Sequence, residues 1–135
     1  MQSQLGHIQV NVKAKNIEFY KKLLAFLEWN VMYESDEFIG AVDKNGASVW
    51  FIGYANDAQN DYDGVGMNHL AFGVSAQSDV DKTVDYLREA GVALLFDTPR
   101  HREDFSQGEG QTYYQVMFES PDRVLFEVVY IGAKE

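Results

Sequence analysis

The chain has no cysteine, only two prolines and three histidines, and about half as many cationic as anionic side chains, 11 Lys and Arg against 21 Asp and Glu in 135 residues. Without cysteine there is no disulfide, no thiolate nucleophile and no thiolate metal site, so any metal must be held by nitrogen and oxygen. The formal net charge of −10 repels phosphate backbones and anionic lipid surfaces and draws in cations, so neither nucleic acid nor a membrane is an expected partner. No run approaches the roughly eighteen apolar residues of a membrane span, and Met1-Gln2-Ser3-Gln4 lacks the basic start and apolar run of a leader. A cytoplasmic location is therefore expected. Hydrophobic residues at 46% and charged ones at 24% are ordinary for a globular chain, and the length suits a single domain spanning 1–135.

Two of the three histidines sit in near-copies of one segment, Gly6-His7-Ile8-Gln9-Val10-Asn11-Val12 and Asn68-His69-Leu70-Ala71-Phe72-Gly73-Val74. Each reads as a strand, whose side chains alternate between two faces. His7, Gln9 and Asn11 then share a face opposite Ile8, Val10 and Val12. In the second copy His69, Ala71 and Gly73 oppose Leu70, Phe72 and Val74. In both halves the histidine opens the strand on the face that is not the apolar one.

The elements after each copy also repeat. Ile17, Tyr20, Leu23, Leu24 and Leu27 recur at helical spacing behind Asn16 as a capping residue. Strands are expected around Val31 to Glu34, Phe38 to Asp43 and Ser48 to Tyr54, the last two joined by the turn Asp43-Lys44-Asn45-Gly46. The polar stretch Ala55 to Gly66 reads as a solvated connection. A second strand, His69 to Val74, then leads to a helix begun by Ser78 and Asp81 in a variant capping box, continued by Val80, Val84 and Leu87 and ended by Gly91. Strands follow near Val92 to Phe96, Thr112 to Phe118 and Val124 to Ile131, with a long polar loop, Asp97 to Gly110, that carries His101. The expected fold is α+β, with two β-α-β-β-β modules, about 1–56 and 66–132.

Two histidines alone make a weak metal site. A carboxylate would complete a facial triad and leave about three octahedral positions open. Glu127 is the candidate, because it lies in Val124-Leu125-Phe126-Glu127-Val128-Val129-Tyr130, a strand so apolar that a charge there needs a partner or a metal. Counting four residues on from Arg123 reaches Glu127, and four from Gly46 at the corresponding turn reaches Trp50. The first half thus carries an aromatic where the second carries its acid. Glu127 is also open to a plainer reading, as an edge-strand charge that discourages aggregation.

Together the paired modules, the histidine opening each first strand, the Phe19-Tyr20-Lys21-Lys22-Leu23-Leu24-Ala25-Phe26 helix, the Pro121-Asp122 turn and the acid in the last strand resemble the vicinal oxygen chelate superfamily. That group contains glyoxalase I, extradiol dioxygenases, fosfomycin-resistance proteins and bleomycin-resistance proteins. The resemblance implies curved mixed sheets forming a cup around a central site, where His7, His69 and Glu127 hold a divalent Fe, Mn or Zn ion. It implies an enzyme, a dioxygenase, lyase or transferase, acting on a small molecule that chelates the metal through two neighbouring oxygens. Trp50 departs from the glyoxalase I pattern of four ligands, so the set is nearer to that of the dioxygenases and fosfomycin-modifying enzymes. A homodimer is also implied, with modules either kept within a chain or exchanged. The competing class is a metal-free drug-binding protein of the bleomycin-resistance type, which the acidic charge and the aromatics Trp50 and Tyr113 suit.

Around that centre, alternation puts Tyr113, Gln115 and Met117 on the wall of the cup with Trp50 opposite, and Gln9 and Asn11 beside His7. These are expected to bind substrate, with Tyr113 also a catalytic candidate. His101 is either an acid or base over the cup or a solvated loop histidine. Arg100 and Arg102 either bind an anionic group of the substrate or pair with Glu103 or Asp104.

Overall fold

A computed structural model describes all residues, Met1–Glu135, as two units, Met1–Gln59 and Asn60–Glu135. The first runs β1 (His7–Asn11), a single 3-10 turn at Ala14–Asn16, α1 (Ile17–Phe26), β2 (Asn30–Glu34), β3 (Phe38–Val42) and β4 (Ser48–Ile52). The second runs β5 (Leu70–Val74), α2 (Gln77–Glu89), β6 (Leu95–His101), a 3-10 turn at Glu103–Phe105, β7 (Gln111–Glu119) and β8 (Leu125–Ala133). Their sheets have matching orders, β1-β4-β3-β2 and β5-β8-β7-β6. In each, the first strand lies parallel to the fourth and the other pairs are antiparallel. The sheets are mixed, each with one long helix, and the class is α+β.

Alternation and helical spacing decide what each unit buries. Ile17, Tyr20, Leu23 and Leu24 of α1 are buried, and Tyr20 stacks on Phe51 at 4.4 Å. Phe51 lies level with Val10 and Ile39 across the ladder, so these three share the helix-covered face. In the second unit α2 buries Val80, Thr83, Val84 and Leu87 while Phe72, Phe126 and Phe118 form a stacked row. Each large apolar side chain taken out of water contributes about 1.5–3 kcal/mol.

Both helices end with the same pair of bonds. Val92 donates to Leu87 and Gly91 to Arg88 after α2, and Trp29 donates to Leu24 and Glu28 to Ala25 after α1. The motif needs a left-handed residue, supplied by Gly91 at φ 72° and by Glu28 at φ 59°. Gly91 is thus the stop that the sequence suggests, while Glu28 performs the same turn with a side chain.

Four local expectations are corrected. Asp97–His101, expected at the head of a long loop, continues strand β6, because Thr98 Oγ1 donates to the Leu95 carbonyl (2.7 Å) and accepts from the Met117 N–H (2.9 Å) where the ladder is irregular. Pro99 is tolerated there because β6 is an edge strand. Asn16 does not cap α1 with its side chain: the chain enters through the 3-10 turn and leaves Asn16 at φ −103°, ψ 3°, outside the extended region that such a cap uses. Likewise α2 starts one residue earlier behind Ala76, which places Ser78 and Asp81 inside the helix. The 55–66 connection is not wholly solvated, since Tyr62 is buried against Met117 and Leu125 and Asn60 Nδ2 donates to the Arg123 carbonyl.

Candidate metal centre

Register places the acid and the second histidine on one side of the second sheet. Ala71 lies level with Glu127 and Met117 with Glu127, so the face opposite α2 carries Ala71 and Gly73 from β5 with His69 just before them, Leu125, Glu127 and Val129 from β8, and Tyr113, Gln115 and Met117 from β7. Arg100 of β6 is level with Gln115 and joins this face. The same parity puts His101, level with Tyr114, on the other side. There its ring stacks on Tyr114 at 4.4 Å and its Nδ1 lies 2.6 Å from Thr112 Oγ1, while Tyr114 donates to Asp81 of α2. The structure therefore does not gather His101 with Glu127.

Glu127 is 1% exposed and both of its oxygens are engaged. Tyr113 donates its hydroxyl to Oε1 at 2.7 Å, and Oε2 lies 2.9 Å from His69 Nε2. Burial, followed by the hydrogen bond and charge of Glu127, raises the Tyr113 phenol far above its ordinary range, so it stays a donor.

The other edge of His69 bears on this contact. Asn68 Nδ2 donates to the Tyr62 carbonyl at 2.9 Å, which turns Asn68 Oδ1 toward His69 Nδ1 at 2.7 Å. An amide oxygen only accepts, so Nδ1 carries the proton and donates. Nε2 faces the carboxylate oxygen: as an N–H it donates to Oε2, and as a lone pair it sets two acceptors against each other. Two acceptors at 2.9 Å attract only when a cation, either a proton or a metal ion, lies between them.

The spacing is that of an N–H···O hydrogen bond and equally that of two ligands on one metal ion. Adjacent ligands about 2.1 Å from an octahedral ion are about 3.0 Å apart, and Nε2 and Oε2 stand at that spacing. A histidine whose second nitrogen is held by an oxygen is the usual form of a metal-ligating imidazole. Sequence reasoning passed over Asn68, although a signal was there, for the repeat puts Gly6 before His7 and Asn68 before His69.

Of the other expected residues, Met117 is buried with Tyr62, Leu125 and Leu95. Gln115 is also buried. Tyr62 is tied in turn to Glu119, whose Oε2 accepts its hydroxyl at 2.8 Å, and Arg123 lies over its ring. Arg100 is exposed, whereas Arg102 is bound at 3.0 and 2.7 Å to both oxygens of Asp104 and lies over the Phe105 ring.

His7 belongs to the first unit, as do Gln9, Asn11 and Trp50. Gln9 Nε2 donates to Asn11 Oδ1 on the face that they share with exposed His7. Trp50 lies level with Gln9, just as Glu127 lies level with Ala71 two residues beyond His69. The two positions are thus equivalent in the two sheets, as counting from the turns suggested. Trp50 stacks on Tyr33 at 6.0 Å, donates its indole N–H to Ser48 Oγ, and covers Gly40 so closely that a Cβ there would overlap the ring. No three His, Asp or Glu side chains form a complete metal-holding group.

A family model described as Glyoxalase/Bleomycin resistance protein/Dioxygenase superfamily matches residues 4–128. The chain belongs to that superfamily. The fold agrees with solved members: a glyoxalase-type protein from Bacillus halodurans superposes with a TM-score of 0.77 at 24% identity, over 96% of both chains. The fosfomycin resistance protein FosX from Listeria monocytogenes, in complex with Mn(II) and sulfate, superposes with a TM-score of 0.67 at 25% identity over 96% of this chain and 91% of that one. The uncharacterized protein YqjT of Bacillus subtilis is 38% identical over 65 residues, 48% of this chain and 47% of that protein. The match thus spans about half the length of that curated relative. No helix is long and apolar enough to cross a membrane.

Proposed function

We propose that this superfamily member is a divalent-metal-dependent enzyme whose substrate is a small molecule that binds the metal through two neighbouring oxygens. His69 and Glu127 are two of its ligands and His7, at the matching position of the first module, is the third. The observation that carries this reading is the pairing of His69 Nε2 with buried Glu127 Oε2 at 2.9 Å, with the opposite imidazole nitrogen held by Asn68. The Mn(II) in the FosX complex supports a metal of this class. Fe, Mn and Zn all accept nitrogen and oxygen donors.

Such an ion supplies Lewis acidity and a template for substrate oxygens. The chain's own part is to fix the His69 ring through Asn68 and to orient the Glu127 carboxylate through Tyr113. Catechol cleavage with oxygen and epoxide opening are the two reactions that the ligand set suits, in a cytoplasmic homodimer. The stack of half-buried Trp50 on exposed Tyr33 favours one further reading, a drug-binding protein of the bleomycin-resistance type.

Metal analysis separates the classes. Protein purified without chelator and reconstituted with Fe(II), Mn(II) or Zn(II) should hold metal, and His69→Ala and Glu127→Ala should lose it. Native protein that takes up none of the three after reconstitution would favour the binder. Oxygen consumption with Fe(II) and a panel of catechols, set against epoxide hydrolysis with Mn(II), then identifies the reaction.

A further inference from the structure

We infer that Tyr113 is a positioning residue that limits Glu127 to one donor oxygen at the metal site. The inference rests on the metal reading above and goes further, since it assigns how the carboxylate binds. With Oε1 held by the Tyr113 hydroxyl at 2.7 Å, only Oε2 faces His69 Nε2. The Tyr113 hydroxyl occupies a lone pair of Oε1 and makes that oxygen the weaker donor to a metal.

The donor is itself braced. The β7–β8 ladder runs from Gln111–Ala133 to Glu119–Leu125 without a register shift, so Tyr113 and Glu127 stand on one continuous frame. The Phe105 ring meets Tyr113 edge-on at 5.4 Å, and Phe105 lies 4.2 Å beneath the Arg102 guanidinium, which both oxygens of Asp104 grip. The ring thus packs against Phe105 while its hydroxyl is held by Glu127.

The consequence is a count of open positions. With His7 as the proposed third ligand, one carboxylate oxygen would leave about three places on an octahedral ion, and a two-oxygen carboxylate about two. A substrate chelating through two oxygens would fill both of the latter. By favouring one oxygen, Tyr113 would keep a third place open to oxygen or water.

Tyr113→Phe keeps the ring and its contact with Phe105 and deletes only the hydroxyl. Native protein and the variant are titrated with Co(II) and their visible spectra compared, because band intensity reports coordination number. The expected result is a changed Co(II) spectrum and an affinity shifted by about tenfold. Tyr114→Phe, which removes a hydroxyl from the opposite face, should match the native protein in both. A Tyr113→Phe spectrum superimposable on the native one, with affinity within about twofold, would overturn the inference and leave the metal reading standing, as would an equal change in Tyr114→Phe. Native protein that binds no Co(II) would overturn the metal reading and this inference with it.

Discussion

Replacing Glu127 by Gln should stabilise the metal-free protein while abolishing its response to metal. The Gln carbonyl can still accept from Tyr113, and its amide nitrogen, at the position of Oε2, can donate to Nε2 of a neutral His69. One net hydrogen bond contributes about 0.5–1.5 kcal/mol, and removing a buried anion that lacks a cation adds to this. His69 is 35% exposed, and water at that edge lowers the total to about 1–2 kcal/mol. At roughly 4 °C per kcal/mol for a chain of this size, Tm should rise by about 4–8 °C. The measurement is thermal unfolding in chelator at pH 8.5, repeated with Mn(II). Native protein should gain about 2.7 kcal/mol when metal stands at a hundred times its Kd, and the variant nothing. A variant less stable than native protein in chelator would refute the argument, because it would mean that a proton already bridges the two groups and that the charge is structural. This is the pattern of a site that gives up stability for function.

Two further predictions address the frame around the site. Gly40→Ala pushes a methyl group into the Trp50 ring; it should cost about 1–3 kcal/mol and shift tryptophan emission to the red, and unchanged fluorescence would contradict the packing described. Burial and then the hydrogen bond to Asp81 push the Tyr114 phenol up to about 12 from 10.0. A raised phenol contributes stability that is fully present below pH 10 and lost as the pH climbs toward 12, so the stability gap between native protein and Tyr114→Phe should stay level below pH 10 and close above it in alkaline melts.

Much of the fold was legible because its signals are local. Period-two alternation in Ile8-Val10-Val12 and Leu70-Phe72-Val74, helical spacing in Ile17-Tyr20-Leu23-Leu24 and the Gly91 stop each depend on neighbours within a turn or two of chain. The misreadings share the opposite cause. Asp97-Thr98-Pro99 has the composition of a turn and becomes a strand because Thr98 borrows a backbone partner from Met117, which no local pattern reveals. Tyr62 sits in a polar stretch and is buried because Met117 and Leu125 lie beneath it.

The same division runs through the site. Sequence alone determined that the chain is duplicated, that His69 and Glu127 belong to one module, and that Trp50 replaces an acid in the other, because a repeat compares positions without knowing where they lie. Only tertiary structure decided that Glu127 turns one oxygen to Tyr113 and the other to His69, that Asn68 Oδ1 faces the far nitrogen of that imidazole, and that His101 lies behind the sheet. Those outcomes depend on which strands become neighbours and in what register, and hydrogen bonds a few ångströms long can be read only after register has been set.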